Sequence, residues 1–326
     1  MKKKIKESTP NGEQSSKKEN RPPFYYSNVL AKELSCDLAA PNWFGIGNIL
    51  VYSRLIEEFS LSIGRPIKLL TAPLKPTVGV VDNEDPYPIW KYNPFIEEIV
   101  NAEEIDADFD VIALINSEMD GFCHFGHMIE NICANYGLKA RKLRPSIFLS
   151  AEEMAWGLNT LSHLPRPVIC LHPGGKSSVF ETSSWHFDNW EKTIKEFNGV
   201  ASFVEISKRG LDHKNLSAFN MDTTLRQAMA LIWASDIFVG FDSGPAHIAT
   251  AFEKPAFVIW NVLRTNAVQE PIQAGFGPAN ITRWSYPQNK NVMLLGERKD
   301  EIYDQLKEYL IERISSFSNK KQALQY

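Results

Sequence analysis

Eight consecutive residues, Gly240-Phe241-Asp242-Ser243-Gly244-Pro245-Ala246-His247, hold the densest chemistry in this 326-residue chain. They follow the apolar run Asp236-Ile237-Phe238-Val239 and lead into Ile248-Ala249-Thr250-Ala251. That pattern is a short buried strand feeding a helix almost without a loop. A helix starting there offers unpaired N–H groups and the positive end of its dipole, which suits a diphosphate. Ser243 can donate its hydroxyl, Gly244 allows close backbone approach, and Pro245 in the first turn forfeits no needed hydrogen bond. His247 is one turn in, where the positive dipole end disfavours its cationic form; it suits an orienting or ligand-contacting role better than proton transfer.

Other segments complement this one. His172-Pro173-Gly174-Gly175-Lys176 ends another strand, with Lys176 as a candidate cation for phosphate. Gly45-Ile46-Gly47-Asn48 opens a helix; it lacks the third glycine and the following acidic strand end of a dinucleotide fingerprint, so it reads as a tight turn presenting amides to a cleft. Cys123, His124, His127 and Cys133 have no common structural zinc spacing, and Phe122, Phe125 and Met128 beside them look like core; no metal is expected. His124 or His127 is a candidate lining residue of the cleft.

The elements needed to position these residues are legible. Ile46, Ile49, Leu50, Leu55, Ile56 and Phe59 fall near a 3.6 period, with Arg54, Glu57 and Glu58 facing outward. Strands are expected at 66–70, 109–115, 167–171, 200–206, 236–240 and 255–260. Helices are expected at 128–136, from Ala151 to Leu158, after a cap at Asp188, from Asp222 or Thr223, and from Glu297 to Ile314. Strands alternating with helices imply an α/β protein of two Rossmann-like domains with parallel sheets. The division is a disordered tail 1–22, rich in Lys, Glu, Ser and Asn; a first domain 23–150; a linker 151–166; a second domain 167–296; and a terminal helix and tail 297–326.

Composition excludes several classes. Apolar residues make up 44% and charged residues 23%, and the formal net charge of −4 argues against a nucleic-acid binder. No apolar run is long enough to span a bilayer, so at most peripheral membrane contact is expected. The lysine-rich start lacks the apolar stretch of a secretory signal, and four scattered cysteines make no disulfide framework; a cytoplasmic protein with free thiols is expected.

The stretch from Phe238 through Ala251, followed by Lys254-Pro255, resembles the signature of the heptosyltransferase-like glycosyltransferases, glycosyltransferase family 9. His172-Pro173-Gly174-Gly175 with the later Ser184-Trp185 and Asn189-Trp190, and Gly45-Ile46-Gly47-Asn48-Ile49-Leu50, are similar to two further family segments in the same order. The resemblance spans roughly residues 38 to 315. It implies a GT-B fold whose two domains face a central cleft, with the acceptor on the first and the donor on the second. It also implies inverting, metal-independent transfer of a sugar, a heptose first, from a nucleoside diphosphate, ADP first, without a cofactor. Partners would be the nucleotide-sugar and a saccharide, lipid-linked or small-molecule acceptor. His172, Gly174, Gly175, Lys176, Asp242, Ser243, Gly244 and His247 then serve the donor, and Gly45 and Gly47 the acceptor side. Trp185 and Trp260, near strand ends, are candidates to meet the sugar or base.

Two positions depart from the family. Ser184 replaces a lysine, so Lys176 or Arg264 must answer the phosphate charge. Asn48 replaces the acidic residue taken as the catalytic base, and an amide cannot accept a proton as a carboxylate does. Three readings stand open: another carboxylate serves, Asp37 being the nearest in sequence; Asn48 orients an acceptor already activated; or the chain is a catalytically silent sugar-nucleotide-binding subunit. An epimerase-type relative that isomerises the donor is a further alternative.

Overall fold

The computed structural model describes residues 31–42, 45–74, 85–105, 126–173, 185, 187–206, 223–261, 278–294 and 299–323. Outside these lie the tail 1–22, the strand expected at 109–115, Cys123, His124, Gly174, Gly175, Lys176, Ser184 and Arg264.

The first lobe contains β1 (Leu38–Ala39), α1 (Ile46–Ile63), β2 (Ile67–Thr71), β3 (Ile96–Asn101) and α2 (Met128–Asn135). Its strands pair in parallel in the order β1-β2-β3. Helix α1 stops where Gly64 takes a left-handed conformation, φ 72°, and its N–H returns to the Ser60 carbonyl. Ile49, Leu50, Leu55 and Ile56 bury the expected face. The expected outer face is different: Arg54 is 2% exposed and Glu58 6%. The chain at 141–146 covers them, and the charges are paired. Arg54 meets Glu57 at 2.7 Å, its Nε donates to the Arg144 carbonyl, and Arg141 Nε donates to Glu58 at 2.6 Å. Burial of charge is tolerable only with such partners.

The second lobe runs α3 (Ala151–Leu161), β4 (Val168–His172), α4 (Phe187–Glu196), β5 (Ser202–Glu205), α5 (Leu225–Ala234), β6 (Ile237–Phe241), α6 (Gly244–Ala251), β7 (Ala256–Asn261), α7 (Pro278–Trp284), β8 (Lys290–Leu294) and α8 (Lys299–Ala323). Ser150 with Glu153, and Thr224 with Gln227, form reciprocal capping boxes. The cap of α5 is therefore Thr224 rather than Asp222 or Thr223, and Asp188 sits inside the first turn of α4 rather than capping it. The sheet is wholly parallel, in the order β5-β4-β6-β7-β8. Chain order reverses between β4 and β6, so their carboxyl ends flank the crevice where open α/β sheets bind ligands. There His172 pairs with Gly240.

One apolar cluster runs through both lobes, with Leu38, Ile49 and Met128 from the first beside Val168, Met229, Phe238 and Ile248 from the second. Within the segment expected as a linker, α3 packs on α5. Gly157 permits this, since a Cβ there would lie 2.5 Å from the Ala230 carbonyl oxygen. From α5, the buried Arg226 reaches Glu153 at 2.8 Å, the Phe148 carbonyl at 2.7 Å and the first-lobe Pro88 carbonyl at 3.1 Å. Among the described residues no helix is long and apolar enough to cross a membrane.

Gly157→Ala should cost about 1–3 kcal/mol, because the clash is with backbone rather than a movable side chain. Urea unfolding should show a lower midpoint at constant slope, while Leu158→Ala at the exposed neighbour stays within about 0.5 kcal/mol of wild type.

Candidate active site between the lobes

The site is assembled from helix ends. Helix α1 begins at Gly45 and α6 begins after Ser243; neither has a side-chain cap hydrogen bond and neither has an acidic residue in its first turn. Asn48 and Ile49 N–H groups close back on the Gly45 carbonyl at 2.8 and 3.3 Å, leaving Ile46 and Gly47 amides without helical partners. In α6, Ala246 and His247 N–H groups close on the Ser243 carbonyl at 3.0 and 3.3 Å. Pro245 has no N–H, so Gly244 supplies the remaining helical amide.

These two ends touch. A Cβ on Gly244 would lie 3.0 Å from Ile46 Cβ and 3.7 Å from the Gly47 nitrogen. A Cβ on Gly47 would lie 2.5 Å from Cδ2 and 2.7 Å from Nε2 of His247. Glycine at 47 is therefore a packing requirement across the lobes. Gly45, by contrast, is exposed with open space where its side chain would be. Gly240 is needed at the strand ends, where a Cβ would meet His172 Cβ and its carbonyl oxygen, both at 2.9 Å.

Four polar side chains extend inward from this contact. His247 is 5% exposed, and its Nδ1 lies 2.5 Å from the Tyr286 hydroxyl. Burial, with Asp242 nearby, raises the Tyr286 pKa well above its ordinary value, so the hydroxyl keeps its proton, and the tautomer of His247 sets which of the two donates. The other ring nitrogen, Nε2, lies 3.9 Å from Asp242 Oδ1. That is too long for a hydrogen bond. Nor is it an ion pair, since burial, and then the neighbouring His127, depress the His247 pKa to about 3. Behind Tyr286, with ring centroids 5.1 Å apart, is His127. Its Nδ1 accepts the Ile129 N–H at the start of α2, and its buried Nε2 has no partner among the described residues.

Asp242 keeps 31% of its side-chain exposure, yet burial raises its pKa to about 7. Ser243 and Gly244 are half-buried; the Ser243 hydroxyl now donates to the Phe241 carbonyl at 3.0 Å and must rotate to meet a ligand. His172 is buried and neutral, with its pKa depressed by desolvation. Its Nδ1–H donates to the Ile206 carbonyl, which leaves Nε2 as an acceptor with no partner among the described residues. Such a nitrogen suits a hydroxyl or amine and repels a phosphate oxygen.

The structure thus brings Gly45, Gly47, Asn48, Asp242, Ser243, Gly244 and His247 to one mouth, with His172 at the adjoining strand end. Gly174, Gly175 and Lys176 lie outside the described residues. Asp37 is elsewhere. It precedes β1, binds Arg65 in a two-pronged pair at 2.7 and 3.0 Å, and accepts the Lys68 N–H. Arg65 follows the far end of the 18-residue α1, about 25 Å from Asn48. Arg65 also holds the carboxylate below its usual range, so Asp37 does not fill the role of base. Trp185 and Trp260 are core residues rather than ligand contacts: Trp185 packs edge-on against Trp190 at 4.6 Å, and Trp260 donates to Asn291. Tyr286 had no sequence signal at all, because only the turn after α7 brings it to His247.

With the geometry defined, comparison places the fold. Residues 204–266, which hold β6 and α6, match the family model for glycosyltransferase family 9 (heptosyltransferase). No curated protein matches the chain by sequence. Among solved structures, a family 9 glycosyl transferase from Veillonella parvula superposes with TM-score 0.58 at 12% identity, over 82% of this chain and 88% of that one. The fold is GT-B. E. coli ADP-heptose lipopolysaccharide heptosyltransferase II gives 0.56 at 15% identity, over 86% and 98% of the two chains. E. coli heptosyltransferase WaaC with ADP gives 0.52 at 11%, over 84% and 99%. At these identities the likeness establishes the GT-B architecture, and the family match falls on the segment that holds β6 and α6.

Acid stability tests the buried histidines. His127, at about 4, and His247, at about 3, lie below the 6.5 they regain on unfolding. The unfolded state binds the extra protons, so stability falls as pH drops below 6.5 toward these values. Asp242, raised from 3.8 to about 7, opposes this, gaining stability as pH falls through 7 and offsetting roughly one histidine. His127→Asn keeps a helix cap and removes one titrating ring. Between pH 6.5 and 4.5 its unfolding free energy should fall less steeply than wild type, by up to about 1.4 kcal/mol per pH unit. Parallel urea series that gave equal slopes would show that His127 is not held neutral.

Proposed function

We propose that the chain is an inverting, metal-independent glycosyltransferase that moves a sugar from a nucleoside diphosphate to an acceptor hydroxyl. Heptose is the first candidate for the sugar and ADP for the nucleotide. The observation that carries this reading is the meeting of two uncapped, acid-free helix ends, one from each lobe, at the carboxyl ends of both sheets. Departure of a diphosphate builds negative charge, and fixed N–H donors aimed at it contribute about 3 kcal/mol each. Ile46, Gly47 and Gly244 amides and the Ser243 hydroxyl are suited to that role, with α6 as the donor cradle and the α1 turn beside the acceptor. His172 Nε2 is suited to a hydroxyl of the donor. The family match over β6 and α6 supports the same reading, as does the fold shared with proteins described as ADP-heptose and ADP-bound heptosyltransferases. A saccharide or lipid-linked alcohol is the expected acceptor class, with the protein working in the cytoplasm.

A second reading, a silent sugar-nucleotide-binding subunit, rests on Asn48 and on the removal of Asp37 from the mouth. The two separate in one assay. Wild type with ADP-heptose should release ADP, slowly to water and faster with a competent acceptor, and a chelator should leave the rate intact. Tight donor binding with no ADP release would favour the silent subunit. Ser243→Ala should weaken donor binding about 10- to 100-fold by calorimetry through loss of a charge-assisted hydrogen bond. Unchanged affinity would remove Ser243 from the cradle.

A further inference from the structure

We propose that Arg283 and His127 form an oxyanion-binding site at the lobe junction, separate from the α6 cradle, that takes one phosphate or carboxylate group. Arg283 lies in the last turn of the second-lobe helix α7. Its Nη2 reaches 3.9 Å from Sδ of Met128, the first residue of the first-lobe helix α2. The guanidinium stands 5.7 Å from the Trp284 ring centre, and its Nε is buried without a hydrogen-bond partner. Among the described residues no carboxylate pairs with it. Burial with no anion beside it lowers the Arg283 pKa, whereas a carboxylate partner would raise it. An arginine stays cationic all the same, so this is a desolvated charge that nothing described offsets. The buried Arg54 and Arg226 differ in this respect, being paired with Glu57 and Glu153.

His127 supplies a second donor in the same state. It is 5% exposed and caps α2, its Nδ1 accepting the Ile129 N–H at 3.1 Å. A backbone N–H can only donate, and burial holds the ring neutral, so the imidazole proton sits on Nε2. That N–H is buried with no acceptor among the described residues. Chain neighbours bring the two donors to one place. His127 packs on the Tyr286 ring at 5.1 Å, while Met128 beside it meets Arg283, three residues before Tyr286. Glu130, the acid in the first turn of α2, is exposed and turned to Gly126, where a Cβ would lie 3.7 Å from its Oε2. Unmet N–H donors from both lobes, one of them cationic, are complementary to an anionic oxygen group. The His247 ring separates this place from the α6 cradle, since its Nδ1 edge faces Tyr286 and its Nε2 edge faces Gly47. Resting on the transferase reading, the anion is carried by the acceptor, because α2 belongs to the acceptor's lobe; the donor diphosphate is the competing source.

The probe is inorganic phosphate on the full chain, read by calorimetry and by urea unfolding against chloride of equal ionic strength. Wild type should bind phosphate saturably, and its urea midpoint should rise. Arg283→Met, which keeps the stem, should weaken phosphate about 10- to 100-fold, and Arg283→Lys less. His127→Asn, which keeps a helix cap, should weaken it about 10-fold. In phosphate-free buffer Arg283→Met should unfold at or above the wild-type midpoint, because a desolvated charge without a partner is removed. A clearly lower midpoint would show Arg283 paired within the fold and overturn the site. Absence of saturable phosphate binding, or equal affinity in Arg283→Met, overturns it too. Saturating ADP separates the two sources. Phosphate affinity that ADP leaves unchanged supports an acceptor-side group. Competition between the two, with ADP held about 10-fold more weakly by Arg283→Met, gives Arg283 to the donor and overturns a separate site. None of these readouts needs turnover. Failure of wild type to release ADP from ADP-heptose therefore removes the transferase reading and the acceptor assignment, while the phosphate site stands.

Discussion

The two lobes meet helix end to helix end, and they can do so only because glycine stands at the contact. At Gly47 any side chain would occupy the space of the His247 imidazole, and at Gly244 it would press on Ile46. Removing two methyl-sized volumes lets backbone approach backbone, so amides from different lobes share one small region. The rest of the mouth follows from that approach. His247 is enclosed beside Gly47, Tyr286 pairs with its Nδ1, and Asp242 is left partly exposed, its oxygens without a hydrogen bond among the described residues.

Charge is treated in two ways in this molecule. Where it serves the frame the buried charge is paired, as in Arg54 with Glu57, Glu58 with the more exposed Arg141, and Arg226 with Glu153 beneath the lobe junction. At the mouth, burial comes without described counterions, and it pushes each group toward its neutral form: His127 and His247 down, Asp242 and Tyr286 up. Paired charges stiffen a scaffold, whereas unpaired, desolvated groups hold their protons at unusual pH and remain available to a substrate. The contrast between Asp37, clamped by Arg65, and Asp242, which meets no lysine or arginine among the described residues, is this division in two aspartates.

Local pattern explains most of the elements. The apolar period of α1, the buried runs of β4, β6 and β7, and the strand-to-helix passage at Asp242 to Ala246 all appear where side-chain spacing places them. Strand β3, with the pattern Ile-Glu-Glu-Ile-Val-Asn, and strand β8 were not legible, because β3 is half-exposed with no alternation to read and β8 opens on the polar pair Lys290-Asn291. The charged face of α1 was misplaced for a related reason. Period reveals which residues are apolar, while only the chain packing over Arg54 and Glu58 decides that they too are covered.

From the sequence alone came the two parallel α/β lobes, the abrupt strand-to-helix start at Ser243-Gly244 and the glycine turn at the head of α1, since each is set by neighbours within a few residues. Which carboxylate reaches the mouth was decided by the tertiary structure. Asp37 is near Asn48 in number but sits at the opposite end of an 18-residue helix, and Asp242 is distant in number but shares an imidazole edge with Gly47. Proximity across lobes depends on how helices stack and which side chains are absent between them, and no short-range pattern of residues encodes that.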